Sequence, residues 1–320
     1  MKDTKIEWCD NSWSPWRGCT KVSPGCAHCY AETLSKRNPA VLGQWGKGKP
    51  RVKAKNWNEP VKWNRSAQSE WDLVSFKSPT VFPSLCDWLD DEVPIEWLAE
   101  FLQLVHETPN LTWLLLTKRP ENWVSQIESA VVWLANRQME SDWIPEVLVW
   151  LQSWRDEGVP PTNVWVGTSV EDQQRADERI PELLKIPARG RFLSLEPLLG
   201  PVDVHRWLRP RWSETLTERN TRPLESECLD WLIIGGESGG GSRPCNVEWI
   251  RSLVAQGKVG GAATFVKQLG AMPVGPTPEV RGRVGWVDAE WKLNHPKGGD
   301  PAEWPEDLRV RQFPQFAPRS

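Results

Sequence analysis

The chain reads as an α/β protein, a partial or irregular (β/α) barrel with Trp-rich insertions and an irregular C-terminal segment. Two observations carry that expectation. From Thr80 onward short apolar runs alternate with amphipathic stretches of helical period. The runs are also apolar throughout, as strands buried on both faces require, which points to a parallel sheet covered by helices. A doubly wound open sheet is the alternative arrangement of the same elements.

Taken in order, Ile6-Glu7-Trp8 is a short strand candidate running into a loop rich in Gly, Pro and Ser, and Ala31 to Lys36 reads as a short helix behind that loop. The later strand candidates are Thr80–Phe82, Thr112–Leu116, Val164–Val166, Arg191–Leu195, Trp231–Ile234 and Thr264–Val266. The intervening helices are expected at Pro94–Glu107, Glu121–Asn136, Glu171–Ile186 and Val247–Gln256. With the N-terminal strand this makes about seven strands, close to a barrel's complement.

Three stretches break the rhythm. Met139 to Glu157 is a Trp-rich amphipathic helix, expected as an insertion on the outside of the barrel. Arg206 to Glu227 is charged and proline-punctuated, an irregular excursion. Pro273 to Ser320 lacks helical period, but its Trp286, Trp291 and Trp304 predict that it folds back over the body. The expected organisation is therefore a barrel-like domain over residues 1–271, carrying the N-terminal cysteine loop, and a packed C-terminal segment over 272–320.

Hydrophobic content of 39% and charged content of 25% suit a globular protein, and no apolar run approaches the ~20 residues of a membrane span. No hydrophobic signal core follows Met1-Lys2-Asp3-Thr4-Lys5. The cysteines number seven, an odd count with three crowded into one loop. That argues for a reducing cytoplasm and against a disulfide framework. A formal net charge of −3 excludes a globally basic nucleic-acid binder but not a local basic groove. The chain has 23 Trp beside one Tyr; many of these indoles fall at apolar positions of expected helices, so most are expected as core side chains, with a minority free to face a substrate.

The chemistry concentrates in Gly18-Cys19-Thr20-Lys21-Val22-Ser23-Pro24-Gly25-Cys26-Ala27-His28-Cys29-Tyr30, which spaces its cysteines as C-x6-C-x2-C. Thiolates are strong soft-metal ligands. Cys19, Cys26 and Cys29 could hold three corners of a cubane iron–sulfur cluster and leave one iron open for chemistry. Structural zinc with Cys9 as fourth ligand, and unbound thiols, explain the same spacing. His28 adjoins Cys29 and makes a poor fourth ligand.

The three cysteines followed by an aromatic, ahead of a β/α chain, resemble the cluster loop of radical S-adenosylmethionine (SAM) enzymes. The match is imperfect, since that superfamily uses C-x3-C-x2-C and an aromatic where His28 stands. More of the chain is similar to a phage and prophage family of unassigned function that carries the three-cysteine variant. The matching blocks are Trp13–Cys19, Leu116–Pro120, Val166–Glu171, Leu193–Pro197, Gly235–Ser238 with Arg243-Pro244, and Phe265–Gln268. The resemblance implies a barrel of radical-SAM type, a [4Fe–4S] cluster, S-adenosyl-L-methionine as cofactor and an electron-donor protein.

Parallel strands present their C-terminal ends on one face. The polar groups expected there are Asp87, Lys118, Arg119, Thr168, Ser169, Glu171, Glu196, Glu237, Ser238, Arg243, Lys267 and Gln268. Among them Glu196, Glu237 and Lys118 are the candidate catalytic groups. Gly235, Gly236, Glu237, Ser238 and Thr168 are the candidate cofactor-binding residues. The Gly-Gly-Glu stretch resembles one that holds the amino group of SAM in radical SAM enzymes, although there it follows an early strand. Residues 45 to 65 interleave cations with indoles: Trp45, Lys47, Lys49, Arg51, Lys53, Lys55, Trp57, Lys62, Trp63 and Arg65. Such a segment either tracks nucleic-acid phosphates while its rings stack on bases, or is a solvated loop pinned by its tryptophans.

The reading is a radical-SAM-like iron–sulfur enzyme, with a nucleobase in DNA or RNA as the first substrate to test. The alternatives are a zinc-stabilised nucleic-acid-binding or nuclease-like phage protein and an adaptor for a protein encoded nearby.

Overall fold

The computed structural model describes residues 1–71, 78–137, 139–209, 228–276 and 289–314. Its centre is a seven-stranded sheet of β1 Asn11–Ser12, β2 Thr80–Phe82, β3 Thr112–Thr117, β4 Val164–Ser169, β5 Gly190–Leu195, β6 Trp231–Gly235 and β7 Ala263–Gln268. Every neighbouring pair is parallel, and the strands lie in the order in which the chain makes them. A doubly wound sheet reverses its strand order at a switch point; this sheet has none. It curls as a half-barrel instead, compatible with a partial (β/α) barrel.

Besides a single turn at Pro39–Leu42, the α-helices among the described residues are α1 Tyr30–Ser35, α2 Asn58–Trp71, α3 Ile95–Glu107, α4 Trp123–Ala135, α5 Trp143–Asp156, α6 Gln173–Lys185 and α7 Val247–Gly260. The apolar stripes of α3 to α7 bury Leu102, Ile127, Leu151, Ile180 and Ile250 against Trp113, Leu115, Val166, Leu193 and Ile234 of the strands, in one large core on the convex side. The alternate strand residues face the other way. Leu114, Phe192, Trp231, Ile233 and Phe265 close around Trp8 in a second core on the concave side. This is the period-2 alternation of strands, with both faces dry as the apolar runs require.

The N-terminal strand is not where the sequence predicts it. Ile6-Glu7-Trp8 forms a turn closed by Cys9 N–H to the Ile6 carbonyl at 3.2 Å, and the pairing falls on Asn11–Ser12, with Asn11 opposite Val81. Trp8 drives the shift. Its indole fills the concave core between Phe82, at 4.5 Å between ring centroids, Phe192 and Trp231, where an aromatic of this size buries most area.

The expected Trp-rich insertion forms α5, which packs through Ile144, Val147, Leu151 and Trp154 against the outer core beside Trp88 and Trp123. In the expected excursion, 210–227 lies outside the described residues, as do 277–288 with Trp286 and 315–320. Trp291 and Trp304 are buried, donating to the carbonyls of Gly275 and Gly298 at 3.1 and 3.0 Å. The C-terminal segment runs along β7, with Val266 N–H to the Val310 carbonyl at 2.8 Å and Gln312 N–H to the Thr264 carbonyl at 2.8 Å. That covers the sheet's open edge, a strand edge that otherwise invites foreign pairing. Among the described residues no helix is long and apolar enough to cross a membrane.

One glycine sets the concave packing. A Cβ on Gly167 of β4 would meet three ring atoms of Phe192 at 2.5–2.6 Å. Gly167→Ala should therefore destabilise the fold by about 1–3 kcal/mol, the usual cost of overpacking. In denaturant titrations the double variant with Phe192→Leu should fall short of the sum of the two single losses; full additivity would show that ring and glycine do not meet.

Candidate functional site

Three parallel strands end in the same way. The second residue past each is a charged side chain that turns toward the cysteine loop: Arg119 past β3, Glu171 past β4 and Glu237 past β6. All three are buried, and each reaches a different part of residues 19–29. Arg119 Nη2 donates to the Thr20 carbonyl at 2.8 Å, and its Nη1 lies 3.7 Å from Cys19 Sγ. Glu171 Oε1 accepts from the Gly25 N–H at 3.1 Å. Glu237 Oε2 lies 3.0 Å from His28 Nδ1. The loop is thereby fastened across the C-terminal ends of the sheet, where barrels build their sites.

Buried charges need partners, and each has one. Arg119 pairs with Asp87 at 2.9 Å, Glu171 with Arg179 of α6 at 2.9 Å, and Glu237 with Arg243. Arg243 also donates to the Pro24 carbonyl at 2.9 Å, so Glu237, His28, Arg243 and Pro24 make a closed clasp between the glycine-rich stretch and the cysteine loop. Burial works against the ionised Glu237, but hydrogen bonds from the side chain and backbone of Arg243 and from His28 outweigh it and hold its pKa at about 2. Burial likewise opposes ionised Glu171, and Arg179 with the loop's donors still keeps its pKa below the ordinary value. Gly25 must be small for this contact, since a Cβ there would sit 3.0 Å from the Glu171 carboxyl carbon.

Cys19, Cys26 and Cys29 are free, half-buried thiols. Cys19 is positioned by a β-bridge to Trp45; Cys26 closes the 3-10 turn Pro24–Cys26, with its sulfur 3.8 Å from Ser23 Oγ; Cys29 caps the start of α1. Burial, reinforced by the Asp87 carboxylate and opposed by Arg119, pushes the Cys19 thiol up to about 12. Among the described residues no group of three or more His, Cys, Asp or Glu side chains is disposed to hold a metal ion. The donor set suits a soft metal in kind; gathering the three sulfurs on one centre requires the loop to adjust.

The other predicted residues divide into two groups. Lys118, Ser169, Glu196, Gly235 and Lys267 gather at the polar rim of the concave face. Lys118 Nζ donates to Ser169 Oγ at 2.9 Å, and Glu196 accepts from Lys267 at 2.7 and 2.8 Å and from Gln268 at 3.0 Å. Gly235 leaves room for that carboxylate, 3.5 Å from where its own Cβ would be. Thr168 and Gly236 serve the sheet instead. Thr168 is fully buried and its hydroxyl donates to the Thr117 carbonyl at 2.9 Å, while a Cβ on Gly236 would lie 2.3 Å from the Leu269 carbonyl oxygen. Ser238 is half-buried in the turn beyond Glu237.

Two features were not foreseen. Arg51, counted among the cations of the basic segment, is buried, bonded to Asp90 at 2.8 Å and to Thr20 Oγ1 at 2.8 Å. Lys53 ion-pairs with Glu100 and lies over the Trp57 ring at 5.3 Å. Much of that segment therefore braces the loop, though Lys47, Lys49, Lys55, Lys62 and Arg65 stay exposed. The second feature is Cys86, whose thiol pKa is raised by burial first, then by the Asp87 carboxylate and by Cys19. Its place just past the end of β2 was the available signal. Cys9 packs in the concave core beside Trp8, where burial and then Asp10 push its thiol up to about 12.

Fold and site together define a mixed α/β protein whose curled parallel half-barrel carries a three-cysteine loop across its strand ends. The chain belongs to the family described as a protein of unknown function, DUF5131, whose model matches residues 3–291. Comparison with curated proteins finds no match, and neither does comparison with solved structures.

The clasp has a testable pH signature. The Glu237 pKa is depressed from 4.5 to about 2 on folding, so its stabilising contribution is complete above the higher value and is lost as pH falls through the lower. Glu237→Gln should be less stable than wild type at neutral pH, with the difference shrinking toward pH 2 in acid-unfolding curves. A constant difference across that range would show that the clasp is not ionic.

Proposed function

We propose that this chain is an iron–sulfur enzyme of radical-SAM type, with Cys19, Cys26 and Cys29 as the cluster ligands. One observation carries the reading: buried residues at three separate strand ends hold the three-cysteine loop over the C-terminal face of a parallel sheet. A cysteine cluster that served stability alone has no need of that placement. A [4Fe–4S] cluster with bound SAM would supply the one-electron chemistry that side chains lack.

The chain's own residues divide the remaining work. The concave floor of Trp8, Phe192 and Trp231 excludes water beneath the rim. Glu196, anchored by Lys267 and Gln268, offers a fixed carboxylate for an ammonium or a ribose hydroxyl, and Lys118 offers a cation for a carboxylate or phosphate. Glu237 already holds Arg243 and His28, so it can receive an ammonium only by exchanging one of them. Its first role is to seat the loop.

A second reading is structural zinc with Cys86 as the fourth thiol in place of Cys9, which packs in the concave core beside Trp8; Cys19 is among the groups that raise the Cys86 pKa. Metal analysis separates the two. Anaerobically purified protein should contain iron and sulfide, with each of Cys19→Ala, Cys26→Ala and Cys29→Ala losing both and Cys9→Ala keeping them. Glu196→Gln should keep the iron and weaken SAM binding by calorimetry. Zinc without sulfide, lost in Cys86→Ala as well, would establish the closed site and end the radical-SAM reading.

A nucleic-acid substrate rests on the exposed Lys47, Lys49, Lys55, Lys62 and Arg65 near the loop. Neutralising these five together should weaken binding to single-stranded DNA or RNA and flatten its salt dependence, since each phosphate contact adds to the slope of log K against log salt. Affinity and slope both unchanged would return the segment to ordinary surface.

A further inference from the structure

We propose that Arg119 is a positioning residue for the three-cysteine site, its guanidinium holding the sulfur of Cys19 ready as the anchoring ligand of a soft metal. The inference rests on Cys19, Cys26 and Cys29 binding one metal centre, but not on whether that centre is an iron–sulfur cluster or zinc.

The geometry around Arg119 leaves it little freedom. Asp87 accepts from Arg119 Nη1 at 2.9 Å, from the Lys118 N–H at 2.9 Å and from the Thr117 hydroxyl at 2.6 Å. The Thr117 hydroxyl in turn accepts from the Arg119 N–H at 2.9 Å. The backbone of Arg119 is therefore held by Thr117 and its head by Asp87, which are bonded to each other, and Nη2 is fixed by the Thr20 carbonyl. Nη1, which also donates to Asp87, faces Cys19 Sγ at 3.7 Å, and Nε lies 4.0 Å from Asp91 Oδ1. The sulfur of Cys26 meets a neutral hydroxyl, Ser23 Oγ at 3.8 Å, where that of Cys19 meets a guanidinium, so the loop's cysteines are not equivalent. A thiolate ligand carries negative charge into a buried place, and a rigid buried cation compensates it. Partners one step behind a metal ligand orient it and tune its donor strength.

Arg119 also ties the loop to β3, and a purely structural role would appear as lost stability alone. The test uses cadmium(II), a soft probe with a thiolate-to-metal absorption, titrated anaerobically into the reduced full chain. Arg119→Gln with Asp87→Asn removes both buried charges together, so that neither is left unpaired. With circular dichroism near wild type, this variant should bind cadmium about 10–100-fold more weakly, the usual cost of losing such a partner. Absorption per bound metal should also fall by about one third as Cys19 drops out of three contributing sulfurs. Arg119→Lys keeps the charge without the fork and should fall between the two, because one ammonium cannot serve Asp87, Thr20 and Cys19 at once. Wild-type affinity and absorption in either folded variant would overturn the inference, and Arg119→Lys decides alone if the double variant does not fold. A wild-type chain that binds no cadmium would overturn the metal reading beneath it, and the inference with it.

Discussion

The structure depends on burying charged side chains at the ends of parallel strands. A charge in a dry place is tolerable only if its partners are complete, since breaking a buried pair costs about 3–5 kcal/mol. Arg119, Glu171 and Glu237 satisfy this by dividing their hydrogen bonds between a partner on the body, namely Asp87, Arg179 or Arg243, and an atom of the cysteine loop. The loop is part of what completes each charge. An apolar contact would leave its seating approximate; three hydrogen bonds to charged groups, each with a direction, fix it at three points.

The two faces of the sheet make that seating possible. On the convex side, helices cover the strands and supply Arg179 from α6. On the concave side, Trp8, Phe192 and Trp231 fill the lower part of the half-barrel, leaving the rim to Lys118, Ser169, Glu196 and Lys267. The result is a dry floor beneath a polar rim, with the cysteines above. The C-terminal segment along β7 does for the last edge what an eighth strand does in a closed barrel.

The basic segment shows why a charge pattern read along the chain misleads. Lys, Arg and Trp alternate from 45 to 65 as they would on a nucleic-acid groove, yet Arg51 turns inward to Asp90 and Lys53 to Glu100. The carboxylates that claim them lie about 40 residues further on, beyond any local pattern.

The sequence by itself determined the class of fold. Apolar runs separated by helical periods leave a parallel sheet as the way to bury both faces, and the helix bounds follow from where the stripes begin and end. It also singled out the cysteine loop and the strand-end charges, because thiols at that spacing and carboxylates directly after buried runs are rarely incidental. Tertiary structure alone decided that the sheet keeps sequential order and curls, since strand order depends on how the helices pack and not on any strand's own residues. Tertiary structure also separated Ser169, which meets Lys118, from Thr168, which bonds the neighbouring strand. Adjacent residues of a strand point to opposite faces, and only the pairing register says which face holds the site.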